Sequence, residues 1–383
     1  MQAIFNPFGA NKAKHFINIS QGKSTGLAEM RIIMDMQKKI AVLFGGCSTE
    51  YKVSLESAYA VISGIDTDKF EPVLIGLAPD SGAWYWYQGE TEEIKNDTWK
   101  SEDKCIPVFP SFSQSERGLC YFENGQKKIL FIDAALPVLH GKNGEDGTVQ
   151  GVFELMQVPV IGCGLLASAL CMDKDMAHRI VQMHGIKVPR SFSIQKDYTE
   201  EDIRKQADEI GYPLFVKPVR SGSSFGISKV TKKEDFIAAV QEAFRHDTTV
   251  LVEEMVDGFE VGCAILGSTD ADLFIGEVDE IELSDGFFDY TEKYTLKTSA
   301  IHVPARIAPR KAKEIKETAL AIYKMLHCSY FARVDMFLTP DEEIYFNEVN
   351  TIPGFTEHSR YPNMLKEAGL SFREMVNCLL EMV

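Results

Sequence analysis

The chain has 383 residues, 45% of them hydrophobic and 25% charged, which leaves room for about two or three domains with substantial cores. A net charge of −16 excludes the basic face that a nucleic-acid or anionic-membrane partner requires. The eight cysteines are scattered, with no CxxC pair and no zinc spacing, and fit small core residues of a protein in a reducing cytosol.

No apolar run reaches the length of a bilayer crossing, and the stretch 129–139 is interrupted by Asp133. Neither H-E-x-x-H nor G-x-S-x-G occurs, which removes the usual support for zinc proteolysis and serine hydrolysis. Residues 1–35 show no periodicity, and the apolar run 16–19 is too short for a signal-peptide core. They are expected to be a disordered leader or the product of an upstream start, outside the fold.

Residues 38–44 form a short apolar run that ends in Gly45-Gly46, and Ser48-Thr49-Glu50 then opens a helix. Strand, glycines and helix in that order predict a βα turn of a parallel sheet. Residues 70–77 and 129–138 predict further buried strands, 83–117 a meander or insertion, 158–162 a short strand, and 167–184 one helix. From Val188 the strands become denser. Segments 212–219, 226–230, 249–255, 260–266 and 272–283 fit one antiparallel sheet, covered by a helix over 232–245. A long amphipathic helix over 309–326 leads into a hairpin over 333–350, and 372–382 closes the chain. The fold class is α/β and α+β in three lobes: 36–162, 163–248 and 249–383.

The hairpin carries the densest chemistry. Residues two apart on a strand share a face, so Arg333 and Asp335 project together, as do Glu348 and Asn350. Pairing the arms gathers two carboxylates, an amide oxygen and a guanidinium, an oxygen set suited to Mg²⁺ with an arginine beside it. A surface hairpin with solvated charges is the plainer alternative. Lys217 stands inside an apolar strand, either as a phosphate contact or as a snorkelling lysine on an edge strand. Ser221-Gly222-Ser223-Ser224-Phe225-Gly226 offers backbone N–H groups and hydroxyls as an anion nest, or a flexible hairpin. Lys174 lies near a helix start, and Glu253 and Glu260 could accept from a nucleotide or be ordinary exposed acids. His140 opens a glycine-punctuated loop after an apolar strand, either where ligand crevices form in parallel sheets or as a structural turn with a satisfied histidine. Asp289 to Tyr294 lie in a long polar connection of the kind that forms lids.

Taken together and in order, these segments resemble the D-alanine–D-alanine ligase family of ATP-grasp enzymes. The resemblance rests on Gly45 to Glu50, Leu139 to Gly151, Ser168 to Lys174, Lys217 to Gly226, Glu292-Lys293-Tyr294 and Arg333 to Ser359. It implies an ATP-grasp fold and two D-amino acids joined through a D-alanyl phosphate, with ATP as co-substrate. Lys174, Lys217, Ser224 and Lys293 would then meet ATP, Glu253 its adenine and Glu260 its ribose. Asp335, Glu348 and Asn350 would hold two Mg²⁺ ions, with Mn²⁺ as an alternative. Glu50 would receive the amino group of the first D-Ala, with His140 beside that subsite. Ser223 and Tyr294 would tie the lid to the N-terminal lobe. Arg333 and the Gly354 N–H would stabilise the oxyanion, and Lys293 and Ser359 would contact phosphate and the second substrate's carboxylate. A cytoplasmic enzyme of peptidoglycan precursor synthesis is implied, and a homodimer.

The chain departs from the ordinary D-Ala–D-Ala pattern after Ser359, where Arg360-Tyr361-Pro362 replaces an apolar residue. That variant resembles the vancomycin-resistance ligases, and with Tyr294 it resembles the D-Ala–D-Ser makers among them. Tyr51 and Lys52 depart from the Arg-Glu pair frequent after Glu50. The alternatives are a housekeeping D-Ala–D-Ala ligase, another ATP-grasp ligase, or a non-catalytic nucleotide-binding regulator.

Overall fold

The computed structural model describes residues 37–222, 225–283, 299–356 and 358–383. Strand β1 (Lys38–Gly45) is buried from Ile40 onward, as its unbroken apolar run requires of a strand covered on both faces. It pairs in parallel with β2 (Phe70–Leu77) and β7 (Ala134–Pro137). Helix α1 (Tyr51–Gly64) crosses from β1 to β2 and buries Leu55, Ala58 and Val61 at helical spacing. Beyond β2 the sheet continues antiparallel through the meander expected over 83–117, with β3 (Trp84–Tyr87) and β4 (Cys105–Pro110), and past it through β5 (Gly118–Glu123) and β6 (Gln126–Phe131). A short helix α2 (Thr91–Lys95) joins β3 to β4.

Two expectations in this lobe need correction. The stretch 129–138 is not one strand but parts of β6 and β7, broken where the Asp133 carboxylate turns to accept from the Lys39 N–H at 2.8 Å. Residues 158–162 contribute a single parallel bridge, Val160 to Ala135, after helix α3 (Thr148–Leu155).

The helix expected over 167–184 is two, α4 (Leu165–Met172) and α5 (Lys174–Met183). Asp173 breaks them: its backbone is extended and its carboxylate caps α5 by accepting from the Met176 N–H at 3.0 Å. That restart buries Lys174, Ala177, His178 and Val181 on one face of α5.

The strands expected as one antiparallel sheet form two. Strands β8 (Ser191–Gln195), β9 (Leu214–Pro218), β10 (Ser228–Val230) and β11 (Thr249–Glu254) make a four-stranded sheet in the order β10-β9-β11-β8. Helices α6 (Glu200–Ile210) and α7 (Phe236–Ala243) share its core. Because β11 pairs with β8 and β9, this sheet extends past residue 248 to Glu254.

The second sheet, β14-β13-β12-β15-β16, contains β12 (Phe259–Leu266), β13 (Phe274–Leu283), β14 (Ser299–His302), β15 (Phe331–Leu338) and β16 (Ile344–Asn350). Its two faces have different covers. Val261, Cys263, Val334 and Met336 pack with helix α8 (Pro309–Met325), while Ala264 and Leu266 pack with helix α9 (Arg360–Glu367). Alternation therefore sends Gly262, Arg333 and Asp335 to the α9 side, where the site lies. Helix α10 (Phe372–Glu381), started by a capping box of Ser371 and Glu374, packs on α1. No helix among the described residues is long and apolar enough to cross a membrane.

Candidate active site

The hairpin β15–β16 pairs Arg333 with Asn350 and Asp335 with Glu348. Arg333 grips Asp335 with both arms, at 2.8 Å from Nε and 2.7 Å from Nη2, and the Asn350 Nδ2 donates to Asp335 at 2.8 Å. With its amide nitrogen so engaged, Asn350 turns its oxygen away from Asp335. Glu348 is 3.4 Å from Lys174 Nζ. Two carboxylates and an amide oxygen on one face, each beside a cation or an N–H, fit a magnesium site in donor type. Among the described residues no cluster of three or more His, Cys, Asp or Glu side chains is placed to hold a metal ion, so the hairpin set depends on the Asn350 oxygen as well as its two carboxylates.

Arg360 is the surprise of this face. It is buried, and its Nε and Nη2 clamp Asp279 at 2.7 and 2.8 Å, while Nη1 donates to Glu260 at 2.5 Å and Nη2 lies 3.3 Å from Asp335. Burial works against this guanidinium's charge, but Asp279, Asp335 and Glu260 raise its pKa well above the ordinary value. Gly262 makes the arrangement sterically feasible. A Cβ there would lie 2.5 Å from Arg360 Nη2, 2.8 Å from Asp279 and 2.9 Å from Asp335. Glu260, assigned by resemblance to a ribose, is thus also an ion-pair partner of Arg360.

Lys217 does not snorkel from an edge strand: β9 is flanked by β10 and β11, and the lysine is buried and paired with Glu253 of β11. Lys174, at the start of α5, donates to the Ser221 carbonyl at 2.8 Å and so meets the glycine loop. One turn later His178 comes within 3.5 Å of Glu253. Burial pushes the His178 pKa down.

On the opposite wall Glu50, at the start of α1, is buried so tightly that a Cβ on Gly141 or Gly222 would lie 2.6 or 2.8 Å from its carboxylate. Ser48 prepares that position, accepting from the Glu50 N–H at 3.1 Å and donating to the His140 carbonyl at 2.6 Å. His140 Nδ1 donates to the Ile352 carbonyl at 2.9 Å, so Nε2 accepts from the Ser57 hydroxyl at 3.1 Å. Burial lowers the His140 pKa, which favours this neutral tautomer. Glu145 bridges the same two lobes, accepting from the Gly141 N–H at 2.8 Å and the Ile352 N–H at 3.1 Å. Burial, then Glu50, push its carboxyl up to about 8 against those two donors.

A cleft of about 260 Å³ runs between these walls. It is lined by Glu50, His140, Lys174, Arg333, Glu348, Asn350, Gly354, Ser359 and Arg360, which the sequence had singled out in separate segments. Asp335 lies just beneath, through Arg333 and Asn350, whereas Lys217, Glu253 and Glu260 do not line it. Ser223, Ser224, Lys293 and Tyr294 lie outside the described residues. Sequence reasoning missed Asp279, Glu145 and His178. For His178 the signal was its spacing of four from Lys174, and for Glu145 its place in the glycine loop; a lone acid in a strand gave none for Asp279.

Comparison with known proteins places this geometry. The D-ala D-ala ligase N-terminus family matches residues 39–163, and the D-ala D-ala ligase C-terminus family matches residues 180–381. The vancomycin C-type resistance protein VanC1 of Enterococcus gallinarum is 45% identical, over 90% of this chain and 97% of that protein. A putative D-alanine–D-lactate ligase of Streptomyces coelicolor is 44% identical, over 90% and 97%. Among solved structures, the VanG D-Ala:D-Ser ligase from Enterococcus faecalis superposes with a TM-score of 0.84 at 55% identity, covering 91% of this chain and 99% of that one. The two family matches together span most of the chain, and the cleft is lined from both: the chain belongs to the D-alanine–D-alanine ligase family of ATP-grasp enzymes and is an ATP-dependent carbon–nitrogen ligase.

Proposed function

We propose that this enzyme joins D-alanine to D-serine in the cytoplasm for peptidoglycan precursors, a product that confers vancomycin resistance. The observation that carries the choice of D-serine is Arg360, held by Asp279 in the wall of the cleft beside Ser359 and Gly354. An apolar residue there would make a dry pocket for a methyl group. The guanidinium and its carboxylates instead present both donors and acceptors, the complement of a hydroxyl. A site built to hydrogen-bond a hydroxyl rejects the analogue lacking it far better than an apolar site rejects an added one. The 55% identity to a D-Ala:D-Ser ligase supports the same reading.

The chemistry follows from the walls of the cleft. Glu50 receives the amino group of the first D-Ala and directs its carboxylate inward. An oxygen of that carboxylate bonds to the γ-phosphorus of ATP, the bond to the β–γ bridging oxygen breaks, and ADP and D-alanyl phosphate result. Lys174 in the wall offsets phosphate charge, as the family resemblance implies for Lys217 outside it. Asp335, Glu348 and Asn350 would hold Mg²⁺, two ions by family pattern or Mn²⁺ in their place, which when bound supplies charge neutralisation between the crowded oxygens. The amine of the second amino acid then attacks the acyl carbon. Arg333 and the Gly354 N–H stabilise the oxyanion, and phosphate leaves.

The test is one mass-spectrometric assay with ATP, D-Ala and equimolar D-Ser and D-lactate. The expected products are ADP, phosphate and D-Ala–D-Ser. A D-Ala–D-Ala majority would make this a housekeeping ligase, a D-Ala–D-lactate ester would overturn the acceptor assignment, and AMP with pyrophosphate would overturn the mechanism.

A further inference from the structure

The register of β16 slips by one residue inside the metal-bearing hairpin. Asp335 pairs with Glu348, but Met336 pairs with Phe346, so Asn347 is an extra residue, a β-bulge. Without it Glu348 would fall on the opposite face from Asp335, because a one-residue slip reverses the side chains of a strand. A bulge takes its backbone groups out of the ladder, and a buried carbonyl so freed needs another donor. The donor here is His178 of α5, whose Nε2 lies 2.7 Å from the Asn347 carbonyl. A carbonyl only accepts, so the Nε2 carries a proton.

The other ring nitrogen, Nδ1, faces Glu253 Oε1 at 3.5 Å, on the carboxylate whose other oxygen meets Lys217. Both groups are buried, and among the described residues neither His178 Nδ1 nor Glu253 Oε1 meets a hydrogen-bond partner. The edge of the imidazole also packs on Phe346, with centroids 5.4 Å apart. One ring therefore touches the bulge that aims Glu348 and the carboxylate assigned to the adenine. Its pose is fixed from α5, whose first residue, Lys174, reaches Glu348 itself.

We propose that His178 is a positioning residue that couples the nucleotide-base side of the cleft to the metal-bearing strand, its Nε2–H holding the Asn347 bulge and its Nδ1 edge packed against the Glu253 carboxylate. The inference rests on the nucleotide and metal roles given under Proposed function. It explains why a histidine occupies the buried face of an amphipathic helix where an aliphatic residue would pack as well. It also requires that binding of nucleotide and of metal be linked through this ring.

The test separates the two nitrogens. A glutamine amide nitrogen falls near the place of Nε2, and an asparagine side chain ends near the place of Nδ1. Affinities of the full chain for ADP, with and without Mg²⁺, are measured by titration calorimetry without amino acids for the parent, His178→Phe, His178→Gln and His178→Asn. Thermal melts of each variant report folding. Loss of outer-shell partners at such sites typically costs about 10–100-fold. His178→Phe is expected to weaken ADP by about 10-fold and to abolish most of the gain from Mg²⁺. His178→Gln should keep the Mg²⁺ gain but bind ADP weakly, and His178→Asn should do the reverse. Folded variants that all match the parent within about twofold overturn the coupling, as does an equal loss in all three. A parent that binds no ADP at all would instead overturn the nucleotide reading, and this inference with it.

Discussion

Replacing Arg360 with leucine tests the ion cluster at the back of the cleft. The substitution removes the guanidinium that meets Asp279 at 2.7 and 2.8 Å. Asp279 is 0% exposed, so Arg360→Leu strands a carboxylate in the core. Asp335 keeps Arg333 and Asn350, and the Glu260 side chain is 16% exposed, so the loss falls mainly on Asp279. Removing one partner of a buried pair costs about 3–5 kcal/mol, whereas replacing both by apolar groups is often neutral. Arg360→Leu should therefore lose about 3–5 kcal/mol in urea unfolding of the ligand-free enzyme, and Asp279→Leu/Arg360→Leu should recover most of it. Both variants should also lose the preference for D-Ser over D-Ala in kcat/KM, by about 1–3 kcal/mol for one charged hydrogen bond. A single variant that loses under about 1 kcal/mol, or a double variant no better than the single, would refute the buried-pair reasoning. An unmoved substrate ratio would refute the role of Arg360 in specificity alone.

Three further outcomes are expected. Gly262→Ala places a methyl group 2.5 Å from Arg360 Nη2, so overpacking should cost about 1–3 kcal/mol in thermal unfolding and lower the D-Ser preference. Glu348→Gln should reduce kcat by about 10²-fold at saturating Mg²⁺, because part of the charge compensation on the transferring phosphoryl group is lost; near-normal turnover would exclude Glu348 as a ligand. The Glu145 carboxyl, raised from 4.5 to about 8 by burial and Glu50, is protonated in the fold over a range where the unfolded chain is ionised. Its contribution to stability is full below the unfolded value and lost as pH rises through the folded one, so Glu145→Gln should flatten the decline in stability between about pH 5 and 8, followed by denaturation at each pH.

Local periodicity was enough to read the two arms of the hairpin and their pairing. Arg333 and Asp335 share a face of one arm and Glu348 and Asn350 a face of the other by the period of two, and the short turn pairs the arms; the Asn347 bulge then decides that both pairs lie on the same face. The parallel order of β1, α1 and β2 was legible for the same reason, since an apolar run, two glycines and an amphipathic helix admit few arrangements. The tertiary structure alone decided the rest. Strand patterns do not name their partners, so the division of one expected antiparallel sheet into two, with β11 in the first, followed from packing on α7 rather than from alternation. Asp279 became part of the site only because Gly262, in the strand between β13 and β15, has no side chain to keep Arg360 from reaching it. The break at Asp173 and the bulge at Asn347 each shift a register by a residue or two. Such shifts are invisible to periodicity, yet they aim Lys174, His178 and Glu348, because a side chain's direction depends on backbone geometry that distant elements hold in place.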